Sequence, residues 1–268
     1  MEIANKNVLI TGVSGGIGFE IAKKFIIEGY QVIGLDINPP KEDLDGLTYI
    51  KTDVTKEKEV ISAFNFVKEK SLTFSNIISA AGIYNLNSLI EMNEEEFIRI
   101  FDINVFSLYR VNKIFLPLLD KGGKIFMISS ELAPLDPLPF TGIYGISKSL
   151  VEKYAYSLRM ELQLLDYKVI VIRPGAIDTG LLNVSQDKLD KFVKQTEHYK
   201  TNSTRFKKIV DSVENKKIAP SKIANLIYKV SNKKRPKYVY KINRNKLLIL
   251  LSILPKRTQN YIIRKILQ

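Results

Sequence analysis

The sequence predicts an α/β fold: a doubly wound parallel sheet of about seven strands with helices on both faces. Three observations carry this. Short β-type runs alternate with helix-length amphipathic segments along most of the chain. Several runs, such as Val169-Ile170-Val171-Ile172, are apolar at every position, as strands covered on both faces must be. A glycine-rich turn follows the first run directly.

Taken in order, the predicted strands are Val8–Ile10, Gln31–Leu35, Leu47–Ile50, Asn76–Ser79, Lys124–Ile128, Lys168–Ile172 and Tyr238–Ile242. Between them, helices are predicted near Gly16–Glu28, Glu57–Lys70, Glu94–Leu119, Tyr144–Leu165 and Ser221–Val230. Gly29 closes the first helix, Thr55 is placed to cap the second, and Pro220 opens the last. Residues 181–217 break the rhythm; they read as a polar, lysine-rich, weakly helical insertion at the carboxyl edge of the sheet, where open α/β folds bind ligands. A catalytic domain over residues 1–242 and a basic, apolar helical extension over 243–268, broken at Pro255, complete the expected organisation.

The first strand runs into Thr11-Gly12-Val13-Ser14-Gly15-Gly16-Ile17-Gly18. Glycines here allow a tight turn and bring bare backbone close to a pyrophosphate, while the free N–H groups of the helix start face the anion. Gly12, Ser14, Gly15, Gly16, Ile17 and Gly18 are therefore candidate dinucleotide contacts in a Rossmann-type fold. The second strand ends at Asp36, eighteen residues beyond Gly18. A carboxylate there accepts hydrogen bonds from ribose hydroxyls and repels a 2′-phosphate, and no Arg or Lys lies beside it, so NAD is favoured over NADP. Asp53 and Val54, just after the third strand, are candidates for the adenine.

These residues resemble the short-chain dehydrogenase/reductase family, in its compact branch. Gly12-x-x-x-Gly16-x-Gly18 matches the family's glycine spacing, and Tyr144-Gly145-Ile146-Ser147-Lys148 matches its Tyr-x-x-x-Lys signature, with Ser129-Ser130 at the end of the preceding strand. Asn104 matches the family's helix asparagine, and Arg173 to Thr179 resembles its cofactor-covering Pro-Gly segment. The resemblance spans about residues 6–180. It implies hydride transfer between a nicotinamide cofactor and a secondary alcohol or ketone (or aldehyde), with Ser130, Tyr144 and Lys148 catalytic. Asn104 holds a water behind Lys148. Ala81, Gly82, Tyr144, Lys148, Pro174, Gly175, Ile177 and Thr179 adjoin the cofactor. It also implies a homodimer or homotetramer built on the helices near 94–119 and 144–165.

The chemistry of the residues agrees. Tyr144 and Lys148 lie one helical turn apart on one face. A phenol with its ordinary pKa of about 10 is a poor base at neutral pH, and a neighbouring ammonium is expected to lower it. Ser130 would stabilise charge developing on the substrate oxygen. Two departures from the family pattern stand out. Its Asn-Asn-Ala-Gly appears as Ser79-Ala80-Ala81-Gly82, and Ser130 lies fourteen residues before Tyr144 where thirteen is usual. The first removes bracing amides; the second reshapes the loop Glu131–Gly142 over the substrate. A sugar-nucleotide epimerase or dehydratase of the same family is the alternative enzyme, disfavoured by the short C-terminal part. An NAD-binding sensor or scaffold without turnover is the alternative outside enzymes.

Composition narrows the chemistry. The chain has 268 residues, one His and no Cys, so disulfides, thiolate metal sites and a cysteine nucleophile are excluded and no metal site is expected. Its net charge of +13 is segregated: residues 1–180 carry 19 Lys/Arg against 23 Asp/Glu, and residues 181–268 carry 22 against 5. The tail interleaves Arg244, Lys246, Lys256, Arg257, Arg264 and Lys265 with apolar residues. It reads as a cap over the cleft or a subunit contact, or as a peripheral contact with an anionic membrane, which would suit an apolar, lipid- or steroid-like substrate. Nucleic acid is not an expected partner, since no recognition motif accompanies the charge. The polar start Met1–Asn7 lacks a secretory pattern and no stretch is long enough to span a membrane, so a cytoplasmic, at most peripherally membrane-attached location is expected.

Overall fold

The computed structural model describes residues 5–214 and 216–268. Seven strands, β1 (Asn7–Thr11), β2 (Gln31–Asp36), β3 (Leu47–Lys51), β4 (Phe74–Ser79), β5 (Leu119–Ile128), β6 (Lys168–Pro174) and β7 (Val239–Ile242), form one parallel sheet in the order β3-β2-β1-β4-β5-β6-β7. The chain starts in the middle, winds out to β3, then crosses to β4 and winds out the other way. The carboxyl ends of β1 and β4 therefore flank a crevice where the winding reverses, the place such sheets bind ligands.

Alternation along the strands divides the core into two layers. Leu9, Ile77, Ile125, Val169 and Val171 face one layer with Val111, Phe115, Val151 and Ala155. Val8, Ile10, Ile78, Phe126, Ile170 and Ile172 face the other with Ile21, Phe25, Ile223 and Ile227. The first layer is covered by α2 (Glu57–Glu69), α4 (Ser107–Phe115) and α5 (Gly142–Leu162), the second by α1 (Gly16–Ile27) and α8 (Ser221–Ser231). Gly29 does close α1: its N–H donates to Ile26 O at 2.8 Å and that of Tyr30 to Phe25 O at 3.0 Å, while the Tyr30 and Phe25 rings meet edge to face at 5.1 Å. Thr55 does not cap α2. Its N–H and Oγ1 both donate to Asp53 Oδ1, and Lys56 takes the cap position without a side-chain bond.

Two predicted segments are organised differently in the structure. The helix expected over 94–119 is α3 (Glu94–Phe101) and α4 joined by one π-helical turn, Asp102–Phe106. The extra residue in that turn bulges the backbone, and Asn104 within it is buried. The segment expected to be a weakly helical insertion instead holds two full helices, α6 (Gly180–Gln195) and α7 (Lys200–Glu214). Their lysines hid the pattern, but Leu189, Phe192 and Phe206 converge with Leu86, Phe140 and Leu267 on a third apolar cluster. That cluster joins α6 and α7 to α10 (Lys256–Leu267), which follows α9 (Lys246–Ile253) after the break at Pro255.

Phe115 shows how the core supports the site. Fully buried at the end of α4, it packs against Phe64 of α2 and Phe74 of β4 and so fixes the helix that follows the π-turn. Phe115→Ala is expected to lower stability by about 3–5 kcal/mol, read as an earlier denaturant midpoint with unchanged slope. A loss below ~1 kcal/mol would mean that α4 is not anchored through this ring.

Candidate active site

The glycine turn is built by close approach. Gly12 has φ +70°, and a Cβ there would lie 2.6 Å from the backbone nitrogen of Ala81; a Cβ on Gly18 would lie 2.0 Å from Gly12 O. Only bare backbone lets the turn, α1 and the β4 exit meet this tightly. The Asp36 carboxylate closes the turn from β2, accepting the N–H of Ser14 at 3.0 Å and that of Asn38 at 3.1 Å, while Ser14 Oγ donates to Asn38 O. Asp53 holds Thr55, and Val54 packs into the core; neither lines the cavity described next.

That cavity runs from the glycine turn to the C-terminal helices. Ile17, Gly82, Pro174, Gly175, Ile177 and Thr179 line it together with Ser130, Tyr144 and Lys148. Phe206, Ile209, Val210 and Val213 of α7 and Leu248 of α9 add an apolar wall. The cavity thus brings together Ser130, Tyr144 and Lys148 with Ile17, Gly82 and the 174–179 segment, while Gly12, Ser14, Gly15, Gly16, Gly18, Asp36, Ala81 and Asn104 lie outside its lining. The wall comes from the 181–217 region and the tail, which the sequence places at the ligand edge and over the cleft.

Each catalytic candidate is positioned by an identifiable contact. Ser130 and Tyr144 line the same cavity, and Ser130 Oγ accepts the N–H of Leu132 at 3.2 Å. Lys148 Nζ donates to Ile128 O at 2.9 Å, tying α5 to the end of β5. Asn104 Oδ1 accepts the N–H of Ile83 at 2.8 Å, and its Nδ2 donates to Ile83 O at 3.0 Å and to Ser147 Oγ at 3.1 Å. The π-turn is thereby fastened to the β4 exit and to the helix of Tyr144. A Cβ on Gly82 would reach Asn104 Oδ1 at 3.2 Å and Lys148 Nζ at 3.5 Å, so this glycine keeps the space over both open.

Beneath the site lies a network that the motif reading missed. Arg173 of β6 grips Glu152 of α5 with two nitrogens, and Ser129 Oγ donates to Glu152 Oε1 at 2.8 Å. Ser129 bonds to this pair while Ser130, the next residue, lines the cavity. The signal was present: Tyr144, Lys148 and Glu152 repeat every four residues along one face of α5. On the other side of Ser130, the buried Glu131 accepts the N–H of Asn245 at 2.6 Å and so holds the start of α9. Burial pushes its carboxyl above the usual range, with its bond from Asn245 and the nearby Arg244 opposing.

The electrostatics correct one expectation. Lys148 does not acidify Tyr144 here. Its ammonium is 5.8 Å from the ring centroid and turned to the Ile128 carbonyl. The ring keeps some surface open to the cavity, yet protein crowds its hydroxyl and burial pushes the phenol up to about 12; the neighbouring Ser130 hydroxyl lowers it and the Glu131 charge raises it. Burial also brings Lys148 down to about 8. Both groups hold their protons at neutral pH.

The donors fit a dinucleotide. The cradle that a Cβ would fill faces the first turn of α1, and Ser79 Oγ is buried at the β4 exit with no hydrogen-bond partner. Among the described residues no group of three His, Cys, Asp or Glu side chains is placed to hold a metal ion. The one histidine, His198, is exposed, with its N–H on Glu91.

Comparison with known proteins agrees with the geometry. The family model described as short chain dehydrogenase matches residues 6–190. The chain is 27% identical over 237 residues to a 3-ketodihydrosphingosine reductase of Bacteroides thetaiotaomicron, covering 88% of this chain and 87% of that one. Its fold superposes on a short-chain dehydrogenase from Streptomyces avermitilis with a TM-score of 0.78 at 20% identity, over 98% and 95% of the two chains. On a 3-ketoacyl-(acyl-carrier-protein) reductase from Brucella melitensis complexed with NADH the TM-score is 0.72 at 21% identity, over 88% and 96%.

The low pKa of Lys148 has a measurable consequence. Between about pH 8 and 10.5 the unfolded chain binds a proton there that the folded chain has released, so stability rises with pH across that window. Lys148→Met lacks this term. The stability difference should move in the parent's favour by roughly 3 kcal/mol between pH 8 and 10.5, measured by chemical denaturation at each pH. A constant difference would place the ammonium in solvent.

Proposed function

This chain belongs to the short-chain dehydrogenase family, and from that premise we propose that it is an NADH-dependent reductase of a ketone carried on an apolar substrate. The observation that carries the proposal is that Ser130, Tyr144 and Lys148 line one cavity together with Gly82 and the apolar wall of α7 and α9. The family, described as short chain dehydrogenase, supports hydride transfer with a nicotinamide cofactor as the reaction class. Similarity to a protein named 3-ketodihydrosphingosine reductase supports a ketone as substrate and reduction as the direction. The wall supports an apolar remainder of that substrate.

A bound nicotinamide would supply the hydride. Gly12, Gly16 and Gly18 would admit its pyrophosphate to the start of α1, Asp36 would meet its ribose, and Ile177 and Thr179 would cover it. Asp36 beside Ser14 disfavours a 2′-phosphate by charge, which supports NAD over NADP. At the substrate, Ser130 would donate to the carbonyl oxygen and stabilise the charge that develops there. Tyr144, protonated at neutral pH, would deliver the proton that completes the alcohol. Lys148 carries its charge below about pH 8 and holds β5 and α5 together at the Ile128 carbonyl, while Asn104 fixes the π-turn against the same helix.

Exposed apolar side chains on the π-turn and α4 (Phe106, Tyr109) and on α5 (Leu150, Tyr156, Met160) support a homo-oligomer formed through these helices. Tyr109→Glu combined with Tyr156→Glu should lower the mass seen by analytical ultracentrifugation; an unchanged mass would move the contact elsewhere.

Tyr144→Phe tests the reductase directly. It should cut ketone reduction by about 10²–10⁴-fold while fluorescence titration shows NADH binding kept and NADPH binding weaker than NADH. Parental turnover in this variant would overturn the assignment, and tighter NADPH binding would overturn the cofactor choice.

A further inference from the structure

We propose that the outer face of α9 and α10 docks on an anionic phospholipid bilayer, setting the mouth of the substrate cavity against the membrane surface. α9 reads Lys-Leu-Leu-Ile-Leu-Leu-Ser-Ile, apolar around its whole circumference. A helix of that composition is ordinarily buried. Here Leu248 enters the cavity wall, whereas Leu247, Leu250 and Ile253 are 72%, 61% and 74% exposed. These three recur at helical spacing on one face, and Tyr261 and Ile266 of α10 are exposed as well. Both helices of the tail therefore carry apolar side chains that the rest of the fold leaves uncovered.

Charge selects the partner. Lys246, Arg257, Arg264 and Lys265 are exposed on the same two helices, and no acidic residue follows Asp211 and Glu214. The neighbouring carboxylates are already engaged: Asp136 pairs with Lys256, and Glu131 is buried on Asn245. A second copy of this chain would meet the surface across a two-fold axis and set these cations against themselves. An anionic lipid surface answers both the leucines and the cations. No described helix is long and apolar enough to cross a membrane, so the contact is with the interface alone.

The attachment of the tail makes this more than a loose anchor. Asn245 caps α9 through Oδ1, which accepts the N–H of Leu247 at 2.9 Å, while its own N–H is held by Glu131, the residue after Ser130. Asn243 Nδ2 donates to Ala176 O at 2.8 Å and to Lys216 O at 3.0 Å. The helix that faces lipid is thus fixed at the rim of the catalytic cavity, one contact from its serine.

The full chain should co-sediment with vesicles of phosphatidylcholine mixed with phosphatidylglycerol and not with phosphatidylcholine alone. Leu250→Asp with Ile253→Asp should reduce partitioning at least tenfold. Arg264→Gln with Lys265→Gln, both at exposed positions, should reduce it about 5-fold per cation, with the parental melting temperature retained in each case. Absence of sedimentation with the mixed vesicles, or sedimentation indifferent to the lipid charge, would overturn the proposal. So would a drop in oligomeric mass for Leu250→Asp in ultracentrifugation, which would assign the face to a second copy. Because vesicle binding is read without turnover, failure here is separate from failure of the reductase assignment.

Discussion

Burial of an ammonium beneath a phenol, at the carboxyl edge of the sheet, is the constraint around which the active site is arranged. Lys148 is 6% exposed, pairs with no carboxylate among the described residues, and donates to the Ile128 carbonyl. Holding a desolvated charge in this way demands rigid neighbours on every side. α5 is fixed to β6 by Glu152 and Arg173 one turn further along, to the π-turn by Ser147 and Asn104, and to β5 by the lysine itself. The Tyr144 hydroxyl inherits its position from those three attachments.

Much of this was legible in the residues. The central strands were legible as apolar runs, because a strand covered on both faces has no polar position to blur it, while the edge strands β3 and β7, with Lys51 and Lys241 exposed, followed from the alternation with helices. The glycine turn, Tyr144, Lys148 and Ser130 were legible because each must satisfy a local rule: close backbone approach, one helical turn of spacing, the end of a strand. What was not legible depends on tertiary burial. The π-turn at Asp102–Phe106 leaves no mark in a helical pattern. The rise of the Tyr144 pKa depends on atoms brought from elsewhere, where spacing to Lys148 alone pointed downward. The lysines of residues 181–217 diluted the apolar period of α6 and α7, though Phe192 and Phe206 are core. Thr55 was a reasonable cap by type, but Asp53 two residues earlier took its hydroxyl.

The two parts of the chain divide the work in a way that their charges reflect. Residues 1–180 are close to neutral and contain the dinucleotide cradle and the proton-handling set. The strongly basic remainder supplies the apolar wall of the cavity and the exposed leucines beyond it. Lysine abundance alone would spread along the chain. Its concentration beside exposed apolar residues is what a surface selected for anionic lipid would show, and what a surface selected only for solubility would avoid.

Glu131 joins the two parts. Its carboxylate lies between Ser130 and the first residues of α9, and its charge, like burial, raises the Tyr144 pKa. A phenol held above its ordinary value surrenders a proton readily only to an oxygen that is becoming an alkoxide, which is the situation in ketone reduction. The carboxylate that fastens the tail therefore also biases the tyrosine toward acting as an acid. Any displacement of α9 that released the Asn245 bond would leave Glu131 with one fewer donor in a buried place, and its own carboxyl would rise further. Seating of the tail and the protonation of the catalytic pair are in this way parts of one electrostatic arrangement.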